Sequence, residues 1–252
     1  MRADKFFADK FGSRTKAKEA LARGLVLRDG KPLAPTDEVT AEYSFVFLED
    51  SGFVSNGGYK LERGLDAFGE CVSGRVFADL GASTGGFTDC LLRRGAIKVY
   101  CVDVGESQLH AKIASDPRVV VMDRTNARYL KRNDFPEPLD GVVADLSFIS
   151  LRLILPAVAD ILSDGGNAYV LFKPQFECDG VGLGKSGILP ERYHLPLLDN
   201  FYAFCSGLGL APIRAVNAPL REKKNVEYII FLKKSADSTP KWEFLQQISE
   251  IF

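Results

Sequence analysis

Arg75-Val76-Phe77-Ala78-Asp79-Leu80-Gly81-Ala82-Ser83-Thr84-Gly85-Gly86-Phe87 decides the fold. Residues 75–80 are an apolar run that reads as a short buried strand ending in Asp79-Leu80-Gly81. The glycines that follow suit a tight strand-to-helix turn, and residues 86–94 suit the helix. Further apolar runs at 99–102, 119–122, 141–144 and 169–172 alternate with polar or helical sequence. That alternation predicts a doubly wound α/β sheet. Residues 212–216 and 227–232 form a last strand pair with no helix between them, so the pair is expected to be antiparallel.

The turn also suggests its ligand. The dinucleotide spacing G-x-G-x-x-G is absent, because residue 83 is Ser. An acid, Asp79, stands two residues before Gly81. A carboxylate there disfavours a pyrophosphate and favours a cation such as S-adenosylmethionine, which carries a sulfonium and an amino group. The expected contacts are Asp79, Gly81, Ser83, Gly85, Gly86 and Phe87. Asp103 ends the second strand, where it would accept from ribose hydroxyls. Asp123 ends the third, near the expected place of an adenine amino group. Each acid alone could cap a helix; together with the turn they favour a cofactor site. Gly184-Lys185-Ser186 imitates the end of a P-loop, but the first glycine of that motif would fall on Asp179. It reads as a loop over the site, with Lys185 near substrate phosphate.

Composition narrows the function classes. The chain has 252 residues, 46% hydrophobic and 26% charged, which is globular. Its net charge of −1 excludes a uniformly basic nucleic-acid binder but allows a local basic patch. No apolar run reaches the ~18 residues of a membrane span, and the N-terminus is charged, so a cytoplasmic location is expected. The cysteines at 71, 90, 101, 178 and 205 have no C-x-x-C spacing, and there are only two histidines, so no metal site is expected.

The first 50 residues read as a small domain. Residues 1–31 hold nine Lys/Arg against four Asp/Glu, while residues 32–50 hold five Asp/Glu and no Lys/Arg. Ala3, Phe7 and Phe11 suggest a short helix. Ser13 suits the N-cap of a second and Gly24 its end. Asp29-Gly30 signals a hairpin. Arg14, Lys16, Lys18, Arg23 and Lys31 form a candidate basic face. The pattern resembles the S-four RNA-binding domain of ribosomal and RNA-modifying proteins. Residues 51–59, rich in Gly and Ser, read as a linker, and residues 60–252 as the second domain.

Val54-Ser55-Asn56-Gly57-Gly58-Tyr59-Lys60-Leu61-Glu62, the Asp79–Phe87 turn, Asp145-Leu146-Ser147-Phe148-Ile149-Ser150 and Lys173-Pro174-Gln175-Phe176-Glu177 together resemble the TlyA family. That family joins an S-four domain to an FtsJ-like methyltransferase domain. One departure is Asn56, where relatives carry Arg. The resemblance implies a Rossmann-like methyltransferase sheet, mostly parallel with an antiparallel last strand. It implies 2′-O-methylation of cytidine in ribosomal RNA with S-adenosylmethionine as donor. It places a Lys-Asp-Lys-Glu tetrad on Lys60, Asp145, Lys173 and Glu227, with Asp145 also near the reactive methyl.

The chemistry suits those residue types. A ribose hydroxyl must lose its proton as the methyl arrives, and a lysine can take it only in its neutral form, so its pKa must fall from the usual ~10.4. Lys173 is the expected base and Lys60 the partner that stabilises developing alkoxide. Asp145 and Glu227 orient the amines. Two ordinary salt bridges are the plainer alternative. Arg221, Lys223 and Lys224 would extend an RNA path alongside Lys185. Two competing functions are a membrane-active protein, because the family has also been called hemolysin-like, and an RNA-binding module with an inactive catalytic domain.

Overall fold

The computed structural model describes the chain except residues 23, 48–51, 185, 220–223, 236 and 250–252. The chain divides into two compact units, Met1–Gly52 and Phe53–Phe252.

The first unit holds α1 (Ala3–Phe6), α2 (Arg14–Ala22), β1 (Val26–Arg28), β2 (Lys31–Pro32) and β3 (Val46–Phe47). Ser13 caps α2 by accepting the Lys16 N–H at 3.1 Å. Ala17, Ala20 and Leu21 are its buried face. Asp29 and Gly30 take positive φ, 53° and 75°, and turn β1 into β2, as the hairpin signal predicts. The sheet is three-stranded, in the order β2-β1-β3. β3 has no counterpart in the sequence reading, since both its residues are exposed and its apolar signal is short. Phe7 holds it by edge-to-face contacts with Phe45 and Phe47, ring centroids 4.9 and 5.6 Å away.

The second unit runs α3 (Asn56–Phe68), β4 (Val76–Leu80), α4 (Gly86–Arg93), β5 (Lys98–Val102), α5 (Ala111–Ala114), β6 (Val119–Met122), β7 (Leu139–Ala144), α6 (Leu155–Ile161), β8 (Leu162–Phe172), α7 (Pro174–Glu177), α8 (His194–Gly207), β9 (Leu210–Asn217), β10 (Tyr228–Lys234) and α9 (Lys241–Ser249). Its seven strands lie in the order β6-β5-β4-β7-β8-β10-β9. β10 is antiparallel to both β8 and β9; the other pairings are parallel. β4 lies inside the sheet between β5 and β7, and all five of its residues are buried, as a parallel strand covered on both faces requires. Val76, Ala78 and Leu80 join the core under α6, α8 and α9. Phe77 joins the core under α3 and α4. Alternation then turns Asp79 toward α4.

Of residues 51–59, expected as a linker, 53–59 lie within the second unit. Phe53 is buried and α3 starts at Asn56. The Val54 N–H donates to Asp89 Oδ2 at 2.9 Å, tying the approach to α3 onto α4. The glycines serve close contact here. A methyl on Gly58 would lie 2.2 Å from Phe53 Cγ, and one on Gly86 would lie 3.2 Å from the Gly57 Cα. α3 and α4 therefore cross nearly backbone to backbone, and Lys60 is a helical residue with a fixed base. Gly58→Ala forces Phe53 out of its seat, and we expect it to lower stability by about 1–3 kcal/mol, as overpacking does. Urea unfolding of the two proteins measures the difference.

Candidate active site

β4→β5→β6 runs one way along the sheet and β7→β8 the other, so the order reverses between β4 and β7. Open α/β sheets bind ligands at such a point, beyond the carboxyl ends of the strands. A cleft of about 320 Å³ opens there, with Asp79, Gly81 and Asp145 in its wall. A second cleft of about 530 Å³ adjoins it, and the two share Lys60 and Glu227.

Four charged groups meet at that junction. Asp145 directly follows β7 and Lys173 directly follows β8. Glu227 directly precedes β10, and the pairing of Tyr228 with Phe172 sets it beside Lys173. Lys60 arrives from α3. Lys173 Nζ lies 2.6 Å from Asp145 Oδ1, and Lys60 Nζ lies 3.6 Å from Asp145 Oδ2 and 2.6 Å from Glu227 Oε2. Lys173 Nζ also donates to Ser147 Oγ at 3.0 Å. The result is one chain of contacts, Glu227–Lys60–Asp145–Lys173–Ser147. Its four charged side chains are only 7–22% exposed.

Asp79 lies below the turn. Its Oδ2 accepts from the Thr88 N–H at 3.0 Å and from the Thr88 hydroxyl at 2.6 Å. Its Oδ1 is buried and has no hydrogen-bond partner among the described residues. Burial, above all, pushes the carboxyl up to about 7, and the Asp145 and Asp103 charges add to the rise. A buried acceptor without a donor, in a cleft wall, fits a ligand that brings a cationic N–H or sulfonium. S-adenosylmethionine has both, so the residues fit that group.

The other expected contacts divide. Gly81, Ser83, Gly86, Phe87 and Asp145 line the smaller cleft. Ser83 has φ +47°, and Gly81 packs so closely that a methyl on it would sit 2.8 Å from Leu146 Cδ2. Phe87 is largely a core residue, buried against α3. Gly85 supplies a φ of +88° to the turn and faces Ile113 and Leu109 rather than the cleft. Asp103 accepts the backbone N–H of Ser83 and of Gly105, both at 2.8 Å. Asp123 accepts the Ser107 N–H at 2.8 Å. Both acids therefore brace loops at the strand ends and stand outside the lining of the smaller cleft; any ribose or adenine contact would use their remaining lone pairs.

Sequence reasoning passed over several residues. Glu177, buried just beyond Lys173, accepts from the Ser150 hydroxyl at 2.6 Å and the Leu151 N–H at 2.7 Å. Desolvation raises its pKa. It pins the far end of the loop that carries Asp145 and Ser147. Phe148, on that loop, is 91% exposed with φ +63°, and its ring centroid lies 5.3 Å from that of Phe176. An exposed aromatic in left-handed backbone is a local signal for a binding surface, although only coordinates display it. Leu183 and Gly187 line the larger cleft, and Asn225 donates to Gly187 O and accepts the Leu189 N–H.

On the first unit, Lys16, Lys18 and Lys31 are exposed. Arg14 is not a free charge: it pairs with Asp4 at 3.0 Å, which also holds Arg2 at 3.1 Å. Arg23, Lys185, Arg221 and Lys223 lie outside the described residues. Lys224 lines the larger cleft. Among the described residues no His/Cys/Asp/Glu cluster could hold a metal ion, and no helix is long and apolar enough to cross a membrane.

Comparison with known proteins gives the family. Residues 53–234 match the FtsJ-like methyltransferase family. The chain is 39% identical over 234 residues to the 16S/23S rRNA (cytidine-2′-O)-methyltransferase TlyA of Mycobacterium tuberculosis, covering 89% of this chain and 86% of that protein. It is 35% identical over 254 residues to Bacillus subtilis YqxC, provisionally named an rRNA methyltransferase, covering 94% and 88%. A solved structure from Streptococcus thermophilus, provisionally called a hemolysin, superposes with a TM-score of 0.75 at 36% identity, covering 100% of this chain and 96% of that one. The chain belongs to the FtsJ-like methyltransferase family, and its cofactor is S-adenosylmethionine.

Proposed function

We propose that this protein methylates the 2′-hydroxyl of a cytidine in ribosomal RNA, with Lys173 as the general base. The observation that supports it best is the chain from Glu227 to Lys173, set where a donor cleft meets an acceptor cleft. The relative from M. tuberculosis supplies the substrate class by its name.

The bound cofactor supplies an electrophilic methyl on a cationic sulfur. The chain's residues do the rest. Asp79 Oδ1 meets the cofactor's positive charge. Neutral Lys173 takes the 2′-hydroxyl proton onto Nζ. Lys60, held by Glu227 and Asp145, stabilises negative charge that develops on the sugar oxygen. Asp145 bridges both amines and fixes their spacing. Phe148 and Phe176 offer ring faces in the larger cleft for the base of the target nucleotide. On the first unit, Lys16, Lys18 and Lys31 contact phosphate and dock the RNA, as an S-four domain would.

Lys173→Ala removes the base. We expect transfer of tritiated methyl from S-adenosylmethionine into ribosomal subunits that lack the modification to fall about 10²–10⁴-fold. Calorimetric affinity for the cofactor should stay near wild type. Wild-type turnover in the variant contradicts the assignment.

Asp79 gives a pH signature. With its pKa raised to about 7, it is protonated in the free protein below that pH. A cationic ligand prefers the ionised form, so binding expels a proton and affinity rises with pH until about 7, then levels. We expect S-adenosylmethionine to bind about 10-fold more weakly at pH 6 than at pH 8. Adenosine, which has no cationic group there, should show no such slope, and Asp79→Asn should abolish it.

A further inference from the structure

We propose that Ser147 is a positioning residue that aims the lone pair of Lys173 at the acceptor hydroxyl. The proposal rests on Lys173 acting as the base. A neutral amine has two N–H bonds and one lone pair in a tetrahedral array, and rotation about the last C–N bond leaves the direction of the lone pair undefined. Asp145 Oδ1 can hold one N–H of Lys173, at 2.6 Å. Asp145 alone therefore leaves the lone pair two places to point. Ser147 Oγ, at 3.0 Å, accepts the second N–H, and only one vertex remains. Lys173, Asp145 and Ser147 all line the same cleft, and the proposal assigns that vertex to the space the reactants share.

Two features keep Ser147 in place. Leu146, one residue before it, is seated against Gly81, where a methyl would come within 2.8 Å of Leu146 Cδ2. Ser150 and Leu151, a few residues after it, are held by the two oxygens of Glu177. The Lys173 side chain is 7% exposed and cannot swing out to find another acceptor. Ser147 is itself exposed to the cleft and carries no part of the core. Its hydroxyl is thus well placed to orient the amine and poorly placed to stabilise the fold.

The proton balance is simple. The 2′-hydroxyl proton moves to the Lys173 lone pair, the oxygen bonds to the methyl carbon, and the methyl–sulfur bond breaks with its electron pair left on sulfur. Ser147 gains and loses no proton in this step; it receives an N–H hydrogen bond throughout.

Three variants, Ser147→Ala, Ser147→Thr and Lys173→Ala, test the idea. The substrates are S-adenosylmethionine and ribosomal subunits from a strain lacking this gene. We expect Ser147→Ala to lower kcat about 10- to 100-fold, as misaimed reacting groups do. KM for the subunits, cofactor affinity by calorimetry and the melting temperature should remain close to wild type. Ser147→Thr, which keeps the hydroxyl, should recover most of the rate. A Ser147→Ala kcat within about twofold of wild type overturns the proposal, as does a loss confined to KM. A threonine variant no faster than the alanine one overturns it too. If Lys173→Ala stays active, the base assignment fails and the Ser147 proposal with it. If Lys173→Ala is inactive while Ser147→Ala is unimpaired, only the Ser147 proposal fails.

Discussion

Asp145 joins two lysine amines through its two oxygens, and the architecture of the site follows from bringing those three groups together. Each amine finds a carboxylate acceptor in a half-buried cleft. Glu227 gives Lys60 a second carboxylate partner. An exposed ion pair contributes about 0–1 kcal/mol, while removing one partner of a buried pair costs about 3–5 kcal/mol. Groups only 7–22% exposed are nearer the second case. A protein gains little stability by burying four charges that apolar residues could replace. In the proposed function the arrangement holds amines where a sugar hydroxyl can reach them.

The sheet is what makes the arrangement possible. Asp145 and Lys173 follow neighbouring parallel strands and so arrive at one rim. Glu227 reaches the same rim only because β10 runs the other way, and its register against β8 fixes the height. Lys60 depends on a different device, the glycine crossing of α3 and α4. One antiparallel strand and one backbone-to-backbone contact therefore decide whether the charges converge.

Much of this was legible in the residues. The buried strand at 76–80, the antiparallel last pair, the hairpin at Asp29-Gly30 and the convergence of Lys60, Asp145, Lys173 and Glu227 all follow from pattern and motif. The stretch from 51 to 59 was ambiguous for an instructive reason. Glycine permits both flexibility and close approach, and only the ring of Phe53 resting on Gly58 tells which applies. The acids show a similar ambiguity. Asp79, Asp103 and Asp123 all stand at strand ends, yet among the described residues only Asp79 of the three has a buried oxygen without a donor, while Asp103 and Asp123 brace neighbouring loops. Sequence gives a carboxylate its address but not the use of its lone pairs. The same holds for Arg14, whose charge is spent on Asp4, and for Ser147, an ordinary loop serine until its distance to Lys173 is known.

The chemical identity of the product tests the whole account most directly. Ribosomal RNA treated with pure protein and S-adenosylmethionine can be digested to nucleosides and separated by liquid chromatography with mass spectrometry. The proposed function predicts 2′-O-methylcytidine, with the added methyl on the sugar fragment. Methyl found on the base fragment, or no methylated nucleoside at all, would contradict the role given to the charged chain.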